Sequence, residues 1–353
     1  MLPCSEKVSP LTTILSAGDR FVRPELFSDA IRAAVGDTVP LEFRSTCAPW
    51  PHEPFGPVEN VDEASGTVEG MIEALQGVEI AVTQLAPFSR SIIEASPDLK
   101  LIGVSRGGPV NVDLEAATRA GVVVVNAPGR NAQAAAEFTI GLILAASRRI
   151  PAAHGELTRG TWRGDYYSWE EAGGELEGET VGLIGLGAIS RIVARILQAF
   201  GAHVIAYDPY ASEVPGVELV GLDDLIARSG IVSLHARLTD ETRHILDEKR
   251  LRAMRPGAVL VNTARGGLLD YAPLPELLES GHLRGLGLDV YDIEPPPANW
   301  PLLTAPNVVL SPHLAGATRQ TAERAATIIA GEVAAYLGGR ELQHVCNPEA
   351  LKG

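Results

Sequence analysis

The sequence has few cysteines, a deficit of basic residues and no apolar run long enough to cross a membrane. Cys4, Cys47 and Cys346 lie far apart and form no Cys-x-x-Cys pair, which argues against a disulfide framework and a zinc site. Lys and Arg number 29 against 44 Asp and Glu, and the net charge of -15 argues against nucleic-acid or anionic-membrane partners. Apolar runs such as residues 138–146 are too short to span a bilayer. We therefore expect a cytoplasmic protein with no metal, nucleic-acid or membrane partner.

The remaining composition is that of a folded α/β protein. The 353 residues are 46% hydrophobic and 21% charged, which is typical of a globular chain long enough for two domains. Apolar segments of strand length alternate with helical segments, which predicts α/β units with parallel sheets. An alanine- and leucine-rich stretch predicts one helix from Ala132 to about Ile150.

A dinucleotide-binding fingerprint occupies the middle of the chain. A strand over residues 181–184 leads into Gly185-Leu-Gly187, a helical pattern follows, and a second strand ends at Asp208. Gly185 permits a tight turn, and Gly187 lets backbone amides approach a pyrophosphate at the helix N-terminus. Asp208 follows at about the 20-residue distance expected for an acid that binds the adenosine ribose. The phosphorylated ribose of NADP would call for a nearby arginine in place of an acid. Because an acid stands there with no arginine nearby, we predict NAD as the cofactor.

Polar residues follow three later strands. Arg265 lies after a strand ending at Asn262, Glu294 lies after one ending near Asp289, and His313 follows the last strand. An arginine can hold a substrate carboxylate and stabilise charge on the C2 oxygen, while an imidazole can exchange the hydroxyl proton. Glu294, if it contacts His313, would raise the pKa of the imidazole. The set predicts hydride transfer at a 2-hydroxy or 2-oxo acid.

The N-terminal part offers a second candidate site. Arg106, Gly107 and Gly108 directly follow a strand, where backbone N–H groups and one positive charge can bind a carboxylate. A simple Gly-Gly turn explains the same residues equally well. The proline-rich stretch 48–57 fits a surface loop better than a ligand rim.

Six segments resemble the D-isomer-specific 2-hydroxyacid dehydrogenase family, which includes D-3-phosphoglycerate, glyoxylate and formate dehydrogenases. They lie in order within about residues 99–320 and are Asn126-Ala-Pro-Gly with Asn131, residues 177–187, Leu234-His with Leu238-Thr, Asn262-Thr-Ala-Arg-Gly, Gly287-Leu-Asp-Val with Glu294-Pro, and Pro312-His-Leu-Ala-Gly. The first ~95 residues match only loosely, and side-chain specificity is expected there.

The resemblance implies two Rossmann-like or flavodoxin-like parallel-sheet domains. The substrate domain would be discontinuous, residues 1–127 with 317–353, and the NAD-binding domain would be residues 128–316. A homodimer is also implied, with the segment around residues 130–170 lying over the partner.

The resemblance also implies residue roles. Arg265 and Glu294 would act in catalysis, His313 would donate the proton, and the backbone amides of Gly107 and Gly108 would bind the substrate carboxylate together with Arg265. Arg106 stands where family members more often have a small residue, so its substrate-binding role is predicted from its charge and its place after the strand and not from the resemblance. The cofactor would contact Gly185, Gly187, Ala188, Ile189, Asp208, His235, Thr263, Asp289 and Gly316, with Asp289 at the nicotinamide carboxamide and Ala188 and Ile189 at the pyrophosphate.

Two functions remain open. The first is an NAD-dependent oxidoreductase that interconverts a D-2-hydroxy acid and its 2-oxo acid, where Arg106 favours a sugar acid or a phosphorylated acid. The second is an NAD(H)-sensing co-repressor that resembles the C-terminal binding proteins, which retain the same Arg-Glu-His set. A formate-type enzyme is disfavoured because Arg265 and the glycine pair suit a larger carboxylate. Arg237 and Tyr271 depart from the family pattern, where proline and an acid are usual.

Overall fold

The structure, a computed structural model, describes residues 11–352, so Cys4 lies outside it. The strands are β1 Thr12–Gly18, β2 Leu41–Cys47, β3 Gly56–Val58, β4 Val61–Ala64, β5 Ile80–Thr83, β6 Leu101–Val104, β7 Val123–Asn126, β8 Thr180–Ile184, β9 His203–Tyr207, β10 Val217–Leu219, β11 Ile231–Leu234, β12 Ala258–Asn262, β13 Leu283–Leu288 and β14 Val308–Leu310. The α-helices are α1 Pro24–Val35, α2 Val68–Ala74, α3 Arg90–Glu94, α4 Leu114–Arg119, α5 Ala132–Ser147, α6 Ile150–Thr158, α7 Ala188–Ala199, α8 Leu222–Arg228, α9 Glu248–Ala253, α10 Leu274–Glu279 and α11 Arg319–Leu337.

The chain divides into two compact units. Unit 1 is Met1–Arg130 with Ala317–Gly353, and unit 2 is Asn131–Gly316. Residues 128–130 therefore belong to unit 1, whereas the sequence analysis put them in the NAD-binding segment. One contact that keeps them there is the hydrogen bond from Arg324 Nη1 to the Arg130 carbonyl, at 2.6 Å.

Unit 1 is built on a five-stranded parallel sheet in the order β2-β1-β5-β6-β7. Successive residues of a strand face opposite sides, so Ile14 and Leu15 of β1 enter separate cores. The core of Ile14 includes Ile329 of α11, and the core of Leu15 includes Phe88. Burial on both faces explains why these strands are nearly continuous apolar runs. A short antiparallel hairpin, β3 and β4, accompanies the sheet.

Gly103 allows the close packing of α11 on this sheet. A Cβ atom at Gly103 of β6 would lie 2.7 Å from Cγ2 of Ile329. Any larger residue would push α11 away from the sheet, since real Cβ contacts do not approach so closely.

Unit 2 contains a seven-stranded parallel sheet in the order β10-β9-β8-β11-β12-β13-β14. The chain builds outward from β8 on one side and then crosses to β11 on the other, so the strand order reverses between β8 and β11. In open α/β sheets, ligands bind beyond the carboxyl ends of strands at such a reversal. The predicted α/β class with parallel sheets is confirmed.

The prediction of one helix from Ala132 to about Ile150 is wrong. Helix α5 ends at Ser147, and α6 starts at Ile150 after Arg149, whose φ is 54°. Pro151 lies in the first turn of α6, where it has no N–H to donate to the Ser147 carbonyl and so cannot continue α5.

Candidate active site

The glycine turn after β8 has the geometry of a ligand cradle. Gly185 has a φ of 97°, and a Cβ there would lie 2.6 Å from the backbone nitrogen of Ala236, so only glycine fits. A Cβ at Gly187, the N-cap of α7, would meet no atom of residues 11–352 within 4 Å. The N-terminus of α7 therefore starts beside open space. Its first-turn amides have no acceptors within the helix and can bind a ligand there. Ser190 is buried and its hydroxyl donates to the Gly187 carbonyl at 3.2 Å.

Asp208 follows β9 and holds this turn in place. Its Oδ2 accepts a hydrogen bond from the Leu186 amide at 2.8 Å, and its Oδ1 accepts from the Tyr210 amide at 2.9 Å. The carboxylate thus lies beside the glycine turn, where a ribose hydroxyl is expected.

Glu294 and His313 form a hydrogen-bonded pair. His313 Nδ1 lies 2.8 Å from Glu294 Oε2, and the Tyr291 amide donates to Glu294 Oε1 at 3.0 Å. The hydrogen bond to Glu294 raises the pKa of His313 above its ordinary value, against the effect of burial. Burial opposes ionisation of Glu294, but hydrogen bonds from His313 and Tyr291 hold its pKa below the usual range. Because Glu294 occupies Nδ1, the Nε2 atom of His313 remains for a substrate.

Arg265 follows β12 in a loop fixed by Asn262. The Asn262 side chain donates to the Arg265 carbonyl at 2.9 Å and accepts from the Ala264 amide at 3.0 Å. The positive charge of Arg265 lowers the pKa values of both Glu294 and His313, so the guanidinium lies near the pair. This effect is smaller than those of burial and of the hydrogen bond between the two side chains. A Cβ at Gly266 would overlap the Tyr291 carbonyl oxygen, so this loop packs directly on the segment that leads to Glu294.

Asp289 anchors the turn that carries His313. It is fully buried, and its carboxylate accepts from the amides of Leu314 and Ala315, each at 2.7 Å, and from the Ser311 hydroxyl at 2.6 Å. His313 has a φ of 54°, an unusual value for a residue other than glycine. These bonds to Asp289 hold the strained turn. The sequence analysis missed this anchoring role.

Thr263 and His235, two residues predicted to contact the cofactor, are hydrogen-bonded to neighbouring side chains. Thr139 Oγ1 donates to the Ala135 carbonyl at 2.7 Å, so the 2.7 Å contact between the Thr139 and Thr263 hydroxyls leaves Thr263 as the donor. His235 follows β11, its Nε2 lies 3.0 Å from Ser233 Oγ, and burial lowers its pKa to about 4. The His235 imidazole is therefore neutral near pH 7. Thr139 gave no signal in the sequence.

Three aromatic residues support the Glu294 segment. The Trp300 ring lies 5.6 Å, between centroids, from both Tyr271 and Tyr291. Tyr271 donates to the Val290 carbonyl at 3.2 Å, and Tyr291 donates to the Ser311 carbonyl at 2.9 Å. Tyr271, which departs from the family pattern, thus belongs to a cluster that links both sides of the Glu294–His313 pair. We call Tyr271, Tyr291 and Trp300 the aromatic brace.

In unit 1, the predicted glycine pair follows β6. Neither Gly107 nor Gly108 has a positive φ, and a Cβ on either would meet nothing within 4 Å among the described residues. The loop is tied to β7, since Asn126 Nδ2 donates to the Gly107 carbonyl at 2.9 Å. Arg106 forms an ion pair with Glu63. The two glycines are thus not required by a left-handed backbone conformation, and the space beside both is open in the described chain.

Two other positions singled out in the sequence lie in loops. Trp50 of the proline-rich loop packs against Phe21 and Phe55, with ring centroids 6.1 and 6.3 Å apart. Arg237 is exposed, and its carbonyl accepts from Thr242 Oγ1 at 2.6 Å.

Within residues 11–352 no three His, Cys, Asp or Glu side chains converge as a metal site would require. In the same range, no helix has the length and apolar character needed to cross a membrane.

Comparisons with known proteins find relatives that match most of this chain. Residues 140–315 match the model of the D-isomer specific 2-hydroxyacid dehydrogenase, NAD binding domain. D-3-phosphoglycerate dehydrogenase of Mycobacterium tuberculosis is 43% identical over 260 residues, 72% of this chain and 48% of that protein. Glyoxylate reductase of Korarchaeum cryptofilum is 36% identical over 296 residues, 82% of this chain and 89% of that protein.

Solved structures show the same fold. A D-2-hydroxyisocaproate dehydrogenase superposes with a TM-score of 0.80 at 26% identity, covering 95% of this chain and 100% of that one. The TT0316 protein of Thermus thermophilus gives a TM-score of 0.77 at 31% identity, with 95% and 100% coverage. The chain spans about half the length of the mycobacterial phosphoglycerate dehydrogenases that it matches.

Proposed function

Because the chain belongs to the D-isomer-specific 2-hydroxyacid dehydrogenase family, we propose that it is an NAD-dependent oxidoreductase that interconverts a D-2-hydroxy acid and its 2-oxo acid. The observation that carries the proposal is the Glu294–His313 hydrogen bond, 2.8 Å long, beside the charge of Arg265. A protonated imidazole and an arginine are the groups that a 2-oxo acid requires for reduction.

The residues of unit 2 fit NAD. Gly187, Ala188 and Ile189 would bind the pyrophosphate with the open N-terminus of α7, and Asp208 would bind the ribose. Thr263, His235, Asp289 and Gly316 would contact the cofactor further along the same sheet edge, where a Cβ at Gly316 would lie 2.9 Å from Asn131 Nδ2. NAD, when bound, exchanges a hydride with C2 of the substrate.

His313 moves the proton. In reduction, the imidazolium Nε2 donates a proton to the forming C2 alkoxide, and in oxidation the neutral Nε2 accepts the hydroxyl proton. Glu294 stabilises the imidazolium through Nδ1, which supports reduction at pH values above the ordinary pKa of histidine.

In unit 2, Arg265 is the substrate-binding residue of this proposal, and in unit 1 the substrate-binding candidates are Arg106, Gly107 and Gly108. The Arg265 guanidinium, exposed at the end of β12, holds the carboxylate and stabilises the C2 oxygen. The amides of Gly107 and Gly108 add donors, and open space beside both glycines supports that role.

The test is NADH oxidation, followed by absorbance, against glyoxylate, hydroxypyruvate, pyruvate, 3-phosphohydroxypyruvate and 2-oxo sugar acids. Turnover with NADH but not NADPH is expected for a subset of these acids. Tight NADH binding without turnover of any acid would contradict the proposal and favour the NAD(H)-sensing function.

We also propose a homodimer. Large side chains of the segment 150–169 are exposed in one chain, and they include Trp162 at 83%, Tyr167 at 94% and Trp169 at 91%. Exposed large aromatic side chains of this kind support a protein partner. Sedimentation should give twice the chain mass for the native protein and one chain mass for a Trp162→Ser/Trp169→Ser variant. A native monomer would contradict the dimer.

A cytoplasmic location completes the proposal. Cys47 and Cys346 form no disulfide within residues 11–352, which suits a reducing compartment. Fractionation of the source cells should place the NADH-dependent activity in the cytosolic extract.

A further inference from the structure

Two threonine hydroxyls of unit 2 take part in a pair of short oxygen–oxygen contacts inside the fold. Oγ1 of Thr139, on α5, lies 2.7 Å from the Ala135 carbonyl oxygen and 2.7 Å from Oγ1 of Thr263, the first residue after β12. Two such oxygens approach this closely only with a hydrogen between them. The Ala135 carbonyl has no hydrogen, so the Thr139 hydrogen occupies that contact and the Thr263 hydrogen occupies the other. The direction of both hydrogen bonds is therefore fixed.

This arrangement leaves the Thr263 hydroxyl as an acceptor only. Its single hydrogen is donated to Thr139, and its two lone pairs remain. In the described chain Thr139 has no exposed surface, whereas Thr263 retains 9%. A ligand at this position would therefore contact Thr263, and it would have to supply an N–H or O–H donor.

Thr263 lies at the edge of the sheet where a dinucleotide is expected. β12 pairs with β11, and β11 pairs with β8, whose carboxyl end continues into the glycine turn. Two strand spacings, roughly 10 Å, thus separate the ends of β8 and β12. A dinucleotide binds across the reversal of strand order, with one mononucleotide on each side. Asp208 after β9 marks the adenosine side, so Thr263 lies on the nicotinamide side.

The nicotinamide half of NAD carries two kinds of donor, the ribose hydroxyls and the carboxamide N–H. A hydroxyl can turn to donate or to accept, so it would pair with Thr263 in either state. The two ends of a carboxamide differ, because its nitrogen only donates and its oxygen only accepts. A fixed acceptor therefore selects one orientation of the carboxamide, and the carboxamide is the donor group for which the Thr139 contact has a consequence.

We propose that Thr139 is a positioning residue that holds the Thr263 hydroxyl as an acceptor for the carboxamide N–H of the nicotinamide. Thr139 is itself fully buried and acts only through Thr263. This inference rests on the proposed NAD-dependent function and adds a residue that orients the cofactor.

The experiment measures by calorimetry the dissociation constants of NADH and of reduced 3-acetylpyridine adenine dinucleotide, in which a methyl ketone replaces the carboxamide and no N–H remains. In Thr139→Val the Thr263 hydrogen loses its acceptor, so the hydroxyl can turn this hydrogen toward the ligand. The Kd of NADH should rise about 3- to 10-fold, which corresponds to one hydrogen bond. The Kd of the analogue should not rise, because its ketone only accepts. A general loss of structure would weaken both and would not change their ratio.

Three further variants complete the test. Thr139→Ser keeps both hydrogen bonds and should restore the native ratio. Thr263→Val removes the acceptor but leaves the helical hydrogen bond of Thr139 intact, so it should change the ratio in the same way even if Thr139→Val does not fold. Thr118→Val is the matched control in unit 1 and should leave both constants unchanged. Thr118 Oγ1 likewise donates to the Leu114 carbonyl, at 2.7 Å, and accepts from Asn347 Nδ2, at 3.1 Å.

The outcomes separate this inference from the proposed function. Native dissociation constants in both valine variants would overturn the inference, and so would an equal rise for the two dinucleotides, which would indicate a purely structural role. Because only binding is measured, the ratio still decides the inference if the native protein binds NADH but reduces no acid, an outcome that contradicts the proposed function alone. A native protein that binds no NADH would contradict both.

Discussion

At the residue scale, the proton equilibrium of His313 depends on one neighbour. Glu294 raises the pKa of His313, so the imidazolium persists to higher pH than in a free histidine and the reduction rate falls only above that raised pKa. Glu294→Gln keeps an acceptor but removes the charge, so the fall in reduction rate should move to lower pH. The pH profile of kcat/KM measures this shift. Glu248→Gln, at an exposed glutamate paired with Arg252, should leave the profile unchanged, and an unchanged profile in Glu294→Gln would contradict the assignment.

A second residue-scale prediction concerns Asp19. Burial raises its pKa from 3.8 to about 6, against its amide hydrogen bonds. A raised carboxyl pKa stabilises the fold below pH 3.8, and this contribution is lost as the pH rises through about 6. Without substrate, Asp19→Asn should therefore increase the free energy of unfolding at pH 8 by roughly 1–3 kcal/mol. Urea unfolding at pH 8 tests this. Equal or lower stability than the native protein would contradict it, and exposed Asp223→Asn is the control.

Some residues of the candidate site could be predicted from the sequence, and others could not. Arg265, Glu294 and His313 stand at strand ends among glycines and prolines, so their chemistry is apparent from local context. The contact between Glu294 and His313 depends on a loop geometry that spacing does not encode. Thr139 and the anchoring role of Asp289 were missed because they arise where separate segments meet in the fold.

At the element scale, the β8–turn–α7 unit allows a paired test. Gly185→Ala introduces a Cβ 2.6 Å from the Ala236 nitrogen at a φ of 97°, and should cost roughly 2–4 kcal/mol of stability. Gly187→Ala meets open space, so the fold should be kept while NADH binding weakens. Thermal unfolding and NADH fluorescence titration separate the two effects. A Gly187→Ala variant that binds NADH as well as the native protein would contradict the cradle.

The aromatic brace makes a second element-scale prediction. Trp300→Leu removes the ring contacts with Tyr271 and Tyr291 and so loosens the segment that presents Glu294. We expect kcat to fall about 10-fold, because small displacements of catalytic groups slow chemistry strongly. The pKa in the pH profile should also fall, which a loss of stability alone would not produce. Trp50→Leu, at a tryptophan packed in unit 1, is the control, and equal effects of both variants would argue against positioning.

Element boundaries were less predictable than element types. The long α5–α6 prediction failed at Arg149, although Pro151 was visible, because alanine-rich composition outweighed the single proline in the pattern. Strands and the glycine turn were predicted from apolar runs that burial on both sheet faces requires.

At the scale of the whole molecule, the parallel α/β fold and the family follow from the sequence, since six motifs in order leave few alternatives. The side-chain specificity of the substrate does not, because the first ~95 residues, where it is expected to lie, resemble the family only loosely.

The most direct test of the whole account is the rate of NADH oxidation with the best 2-oxo acid in the native protein, in His313→Ala and in a control, His203→Ala, at the exposed start of β9. The account predicts that His313→Ala lowers kcat by about 10²–10⁴-fold while NADH binding persists, and that the control keeps native turnover. Native turnover in His313→Ala would contradict the account, since the proton would then come from another group.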